Sequence, residues 1–245
     1  MMINVACKTD RGKTRSTNED SLLCFKEDNV FMIADGVGGH NAGEIASSLA
    51  TEVTAAYIKH NPLKDVENDK ELKEYFMNCF QEANASVLRV SAMRGDKASM
   101  ATTALLTYVK DNRMYMVNMG DSRGYLFRDS NMMQITEDHT YVNQLVKEGK
   151  LDPLLIEDYP DKHIITRALG AEEEVIPDFF QFDVYKGDRI LLCTDGLYNE
   201  VSDEEIKVLM KNALNVEVLT EELVNRAKQH GGRDNITVIC LEIPR

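Results

Sequence analysis

Hydrophobic positions along this chain follow two different periods. In residues 42–60, AGEIASSLATEVTAAYIKH, apolar side chains return every three to four positions. Ile45, Leu49, Val53 and Ala56 or Tyr57 then share one helical face. Residues 69–93 repeat the pattern with Leu72, Phe76, Phe80, Ala83, Val87 and Val90. Both segments read as long amphipathic helices whose apolar stripes are core contacts. After them the period shortens. TTALLTYVK, RMYMVNMG, GYLFRD and MMQIT read as strands, and Asp111-Asn112 between the first two is a hairpin signal. Residues 140–176 break the pattern with a short helix, a polar stretch and HIITRALG, which reads as a surface excursion. DFFQFDVY, DRILLCTDG and NITVICLEI are further strands. SDEEIKVLMKNA and NVEVLTEELVNRAKQ are further helices, and Ser202 followed by Glu205 has the spacing of a capping box. The strands cluster in hairpins instead of alternating with helices. That predicts an α+β stack of sheets over a doubly wound parallel sheet. No Pro/Gly/Ser-rich linker or repeat interrupts the 245 residues, so one domain, 1–245, is expected.

Composition narrows the function classes. Hydrophobic residues are 43% and charged residues 28%, as in an ordinary globular chain. The net charge of -13 argues against a nucleic-acid partner, because phosphate contacts need clustered Lys and Arg. The cysteines Cys7, Cys24, Cys79, Cys193 and Cys240 are widely spaced with no C-x-x-C. They predict small core residues in a reducing compartment, with neither a disulfide framework nor a zinc site. No apolar run is long enough to span a membrane, and MMINVACKTDRGK lacks a signal-peptide core. A cytoplasmic protein is expected.

The acidic residues change the picture because of where they fall. VFMIADG reaches Asp35-Gly36 and RILLCTDG reaches Asp195-Gly196 at the ends of apolar runs. Asp121 sits at a turn between strands, Asp234 immediately before one, and Glu19 and Asp20 just ahead of another. Any one Asp-Gly is more often a turn than a site. Together they are carboxylates at strand termini, which would repel one another without a cation. An oxygen-only donor set selects Mg²⁺ or Mn²⁺ over zinc. The glycines would let backbone approach the ion. The competing reading of DGVGGHNAGE is a phosphate-cradling loop. Asp35 would then aim its charge at a phosphate, no Walker lysine follows, and the next segments are helices, so the cation reading is preferred.

RSTNEDS, ADGVGGHNAGE, VNMGDSRGYL, TEDHT, ITRALG, LLCTDGLYNEVSDEEI and GGRDNITVI stand in the order seen in metal-dependent protein phosphatases. From about Asp10 to Ile243 the chain resembles a bacterial type 2C serine/threonine phosphatase of the PPM family. The resemblance implies two antiparallel sheets packed as a sandwich, helix pairs on both outer faces, and a flap over residues 143–165. It implies two Mn²⁺ or Mg²⁺ ions and a weaker third. Asp35 matches the bridging aspartate and Gly36 the carbonyl ligand. Asp195 and Asp234 match ligands of the first ion, Glu19 and Asp20 acidic residues at the second, and Asp121 with Asp195 the third site. Arg15 matches the arginine that grips substrate phosphate. The implied activity is hydrolysis of phosphoserine and phosphothreonine in proteins by a metal-activated water, opposing a cytoplasmic serine/threonine kinase, with the enzyme a monomer. A hydrolase of small phosphate esters, or a regulatory module on the same fold, stands as the alternative.

The sequence departs from the family in places. Val37 stands where some eukaryotic members carry a histidine proposed as general acid. His40, three residues later, is read as structural, as is His139 in TEDHT. Ala101-Thr102-Thr103 replaces the usual Gly-Thr-Thr, which puts the local backbone in question.

Overall fold

The structure, a computed structural model, describes residues 3–39, 41–94, 100–156 and 158–244. In chain order the elements are β1 (Asn4–Asp10), β2 (Asp20–Phe25), β3 (Val30–Val37), α1 (Ala42–His60), α2 (Asp69–Arg94), β4 (Ala101–Thr102), β5 (Ala104–Lys110), β6 (Arg113–Met119), β7 (Arg123–Arg128), β8 (Asn131–Gln134), α3 (Tyr141–Lys147), β9 (Asp178–Asp183), β10 (Arg189–Cys193), α4 (Asp195–Tyr198), α5 (Asp203–Asn212), α6 (Val216–His230) and β11 (Ile236–Glu242). They form two antiparallel sheets, one ordered β1-β11-β10-β7-β8 and the other β2-β3-β5-β6-β9 with β4 paired to β3.

The predicted sandwich is what forms. Phe31, Ile33, Leu105, Met116, Leu126, Ile190, Leu192 and Ile239 fill the space between the sheets. The alternate side chains of the same strands face outward, as the two-residue period requires. Met32, Leu106 and Val117 pack under α1 and α2, while Leu191, Val238 and Cys240 pack under α5 and α6. The result is helix, sheet, sheet, helix. The Asp111-Asn112 hairpin is present, with φ of 51° and 64° at the turn residues, as a tight type I′ loop demands. Asp129-Ser130 makes a second such turn, unforeseen because Ser is a weaker signal than Asn or Gly. Ser202 caps α5, its hydroxyl accepting from the Glu205 amide.

One expectation fails on α1. Its deepest residues are Ala42, Gly43, Ala46, Ser47, Ala50, Thr51, Thr54 and Ile58, not the Ile45–Leu49–Val53 stripe. The small residues bring the helix close to the sheet. The larger ones turn sideways: Ile45 and Leu49 pack with Val87 and Val90 of α2, and Tyr57 meets Tyr75 edge-on. Strand β1 was also absent from the sequence expectation. It is an edge strand with mostly half-buried or exposed residues, so its apolar signal is weak. Cys79, Cys193 and Cys240 are buried, whereas Cys7 is exposed and Cys24 half-buried. No described residue from 143 to 165 is buried. No helix among the described residues is long and apolar enough to cross a membrane.

Candidate metal centre

Residue 35 sits at one end of the sandwich, and its surroundings explain why the sequence there looks as it does. Strand β3 does not stop at Asp35, as its pattern suggested. It continues through Gly36 and Val37, which pair with Thr102 and Ala101 of β4. Asp35 is fixed at both backbone atoms. Its N–H donates to Thr103 Oγ1 at 2.9 Å, and its carbonyl accepts from the Thr103 amide at 2.8 Å and the Thr102 hydroxyl at 2.9 Å. Alanine at position 101 therefore leaves the strand pairing intact. Across the sheet Asp35 faces Asp20, the first residue of β2.

The glycines serve packing. A Cβ on Gly36 would lie 2.0 Å from the carbonyl oxygen of Gly43, where α1 begins. A Cβ on Gly196 would lie 1.8 Å from the carbonyl oxygen of Asn235. Backbone therefore meets backbone on both sides of the cluster, and no side chain fits between. Gly36→Ala is expected to destabilise the fold by about 3 kcal/mol or more, above the usual cost of overpacking because backbone must move. A denaturant titration measures it.

The remaining residues converge from distant parts of the chain. The segment between β1 and β2 is tied to the start of β11. The Lys13 amide donates to the Gly232 carbonyl at 2.7 Å. Asn235 accepts from the Glu19 amide at 2.8 Å and donates to the Arg11 and Thr17 carbonyls. This brings Arg15 to Asp234, 2.8 Å from nitrogen to oxygen. Asp195 is not a strand terminus but the first residue of the short α4, held by the Asn199 amide at 3.0 Å. Arg15, Glu19, Asp35, Gly36, Asp121, Asp195 and Asp234 line one cleft of about 470 Å³. Asp20 lies behind that lining, buried, with Thr194 donating to its Oδ2 at 3.0 Å.

The electrostatics follow from this crowding. Burial pushes Asp20 up to about 7, and the charges of Asp195 and Asp234 add to it. Burial likewise pushes Asp121 to about 7, helped by Asp195 and Asp138. Asp35 is raised well above the carboxylate range by burial and then by Asp20, Asp195, Asp121 and Asp234. Burial and Asp234 raise Asp195, which recovers part through a hydrogen bond with Asp35. Glu19 is raised too, chiefly by burial.

This arrangement fits a hard cation in its donor chemistry. Every donor is oxygen, and Asp20 Oδ1 is buried without a hydrogen-bond partner. An orphaned carboxylate oxygen of this kind is costly unless a cation or water takes it. As they stand, no three His, Cys, Asp or Glu side chains among the described residues are disposed to hold an ion. Asp35 and Asp195 hydrogen-bond each other, and Arg15 holds Asp234. The Arg15 guanidinium offsets part of the negative charge in that state.

Some contributors were missed from sequence. Thr103, Thr194, Asn199 and Asn235 position carboxylates or backbone, and although they lie within the quoted motifs none was singled out there. His163, the first residue of HIITRALG, also lines the cleft. His139 is buried and structural in its contacts: it accepts from the Gly120 amide at 3.1 Å and reaches Asp178 at 3.1 Å. It thereby fixes the residue before Asp121. His40 lies outside the described residues.

Comparison with known proteins agrees with the fold. The family model described as Protein phosphatase 2C matches residues 9–237. The chain is 34% identical over 239 residues to the serine/threonine phosphatase stp of Listeria monocytogenes, covering 96% of this chain and 94% of that one. It is 34% identical to the protein phosphatase PhpP of Streptococcus pneumoniae, covering 98% of each. Among solved structures, the Mycobacterium tuberculosis serine/threonine phosphatase PstP/Ppp superposes with a TM-score of 0.88 at 35% identity, covering 100% of both chains. The catalytic domain of PstP, solved in complex with two manganese ions, gives a TM-score of 0.85 at 35% identity over 99% of both chains.

Proposed function

This chain belongs to the protein phosphatase 2C family, and on that basis we propose that it hydrolyses phosphoserine and phosphothreonine in proteins with divalent cations at the carboxylate cleft. One observation carries the reading: a single cleft gathers Arg15 beside Glu19, Asp35, Asp121, Asp195 and Asp234. Such a site joins a phosphate-binding cation to a set of acidic oxygens.

Asp35, Asp195 and Asp234 with the Gly36 carbonyl would hold two ions, Mn²⁺ or Mg²⁺. Glu19 and Asp20 would serve the second ion, and Asp121 with Asp195 a weaker third. When bound, the ions supply Lewis acidity toward water and phosphoryl oxygens. Arg15 binds the substrate. Its guanidinium is half-exposed at the cleft, always charged, and forked to match two phosphate oxygens. In the absence of substrate it rests on Asp234, so an incoming phosphate exchanges one anion for another. The Thr103 and Thr102 contacts hold the Asp35 backbone, and so the root of its side chain, in one position. Residues 143–165 would form a flap beside the cleft within one catalytic domain. The substrates would be cytoplasmic phosphoproteins, opposed by a serine/threonine kinase, and the enzyme would act as a monomer.

Turnover of a phosphothreonine peptide with and without Mn²⁺ tests the reading. Release of phosphate with Mn²⁺ or Mg²⁺, its loss on chelation and poor activity with Zn²⁺ are expected. Hydrolysis of p-nitrophenyl phosphate but of no phosphopeptide would reassign the enzyme to small esters. No hydrolysis of either would leave only a binding module. Arg15→Ala should raise KM for the peptide by about 10- to 100-fold, the equivalent of a lost charge-assisted hydrogen bond. The Mn²⁺-induced melting shift should stay within a degree or two of wild type. Unaltered peptide kinetics would make Arg15 a loop residue.

A further inference from the structure

Strands β1 and β2 are the edge strands of different sheets and lie against each other along one side of the sandwich. Each carries a cysteine there. On β1, Cys7 shares the face of Val5, which belongs to the core between the sheets. On β2, Cys24 packs against that same core. The two thiols lie near enough across the gap for each to shift the other's acidity. Cys7 is exposed and Cys24 half-buried, so a small oxidant reaches the pair from solvent.

We propose that Cys7 and Cys24 are a thiol pair that oxidises to a disulfide across the open edge of the sandwich, fastening the two sheets at the root of the segment that carries Arg15 and Glu19. Cys7 is the attacking sulfur. Cys24 and the Lys26 charge beside it bring Cys7 down to about 6, against the opposing effect of burial. A thiolate with a cation beside it, open to solvent, is the form that reacts. Cys24 is raised in turn and keeps its proton until it is needed.

The oxidant class is a hydroperoxide. The Cys7 thiolate attacks one peroxide oxygen, the O–O bond breaks, and the leaving oxygen takes a proton as water or alcohol. Cys7 is then a sulfenic acid. The Cys24 sulfur, losing its proton, attacks the Cys7 sulfur. The S–S bond forms, the S–O bond breaks, and a water leaves. Two thiols have lost two electrons and the peroxide has gained them. A dithiol reductant reverses the step by exchange.

The consequence lies in the chain between the sulfurs. Residues 8–23 become a closed loop containing Arg15, Glu19 and Asp20. Closing a loop of this length restricts the unfolded chain and raises the melting temperature by roughly 5–10 °C. It also limits local opening of β1 from β2, so amide exchange in residues 11–19 slows. Any effect on turnover rests on the proposed activity, but formation of the bond does not.

The test uses the full 245-residue chain, freed of metal with chelator and exposed to hydrogen peroxide. Peptide mapping without reductant should link the Cys7 and Cys24 peptides with a loss of about 2 mass units. Free thiols should fall from five by the two that pair, and dithiothreitol should restore both. The higher melting temperature should appear and vanish with the link. Cys7→Ser and Cys24→Ser should each lose the link while keeping the melting point and peptide turnover of reduced wild type. Because mapping on wild type needs no variant to fold, a poorly folding variant does not blur the outcome. Oxidation of Cys7 to sulfinic acid with Cys24 untouched, or a Cys7 link between two molecules, overturns the proposal.

Discussion

Asp195→Asn should cost more than the 10- to 100-fold that outer partners of a metal ligand typically cost, so peptide turnover should fall by over about a hundredfold. The same variant should be no less stable than wild type without metal. Asp195 lies among Asp35, Asp121 and Asp234, and burial with the charge of Asp234 raises its carboxyl. Asparagine removes one of those charges at nearly constant shape. Its amide can donate to Asp35, replacing the hydrogen bond that now needs a proton. The metal response should separate a ligand from a turn residue. A cation that binds only the folded wild type at a hundred times its dissociation constant adds about 2.7 kcal/mol. For a chain of this size that is a melting shift of about 5–10 °C. The variant should lose most of it. Melts of both proteins in chelator and in Mn²⁺ give the comparison. An Asp195→Asn protein that keeps the full shift and most of its activity removes Asp195 from the site.

Metal-free protein should become less stable as pH rises from 6.5 to 8. Asp20 and Asp121 are both pushed up to about 7, mainly by burial. Their unfolded values lie near 3.9. Below that value both states are protonated. Between it and 7 the folded state holds protons that the unfolded state has released, so the stabilisation is fully present at the acid end and lost as pH passes through the folded values. Each shift corresponds to a few kcal/mol at most, and the groups interact, so the sum is smaller. Buried His139 is held below the usual imidazole range by burial and pulls the other way, but only below about pH 6.5. Melts in chelator should fall by several degrees between pH 6.5 and 8, and saturating Mn²⁺ should flatten or reverse that slope, since cations need the carboxylates ionised. Asp121→Asn barely alters the overall charge of -13, so a reduced slope in that variant locates the effect at the cluster. An unchanged slope would assign it to general repulsion.

The sequence revealed elements wherever one residue period dominated a long segment. The hairpin at Asp111-Asn112 and strands β5, β6 and β10 follow from local chemistry that tertiary contacts reinforce. Period alone could not say which face of α1 meets the sheet. Ala46 and Ala50 win over Ile45 and Leu49 because a helix seats closest through its smallest residues, and closeness is a property of the pair. The acidic residues were visible for a similar reason to the strands: charge is out of place beside an apolar run. Their supporting residues were not. Asn235 and Thr103 look like ordinary loop and strand residues until the segments they join are brought together from far along the chain. At Gly36 the structure adds a packing reason that the sequence did not suggest, since its missing side chain makes room for Gly43.

Arg15 and Asp234 meet across a sequence separation of 219 residues, and β11 lies inside its sheet, between β1 and β10. That arrangement sets a timetable for synthesis. Until residues 234–242 have left the ribosome, β1 has no neighbour to pair with and the segment bearing Arg15 has no anchor. A growing chain can build the β2-β3-β5-β6-β9 sheet with α1 and α2 early, through contacts that are mostly closer in sequence. The carboxylate cluster then waits for the last strand to slot in. Long-range closure of this kind is slow, and it means that a ribosome-bound intermediate contains Asp35 without Asp234. An unfinished chain would therefore lack the assembled cleft, and chemistry at that cleft would begin only when the sheet is closed.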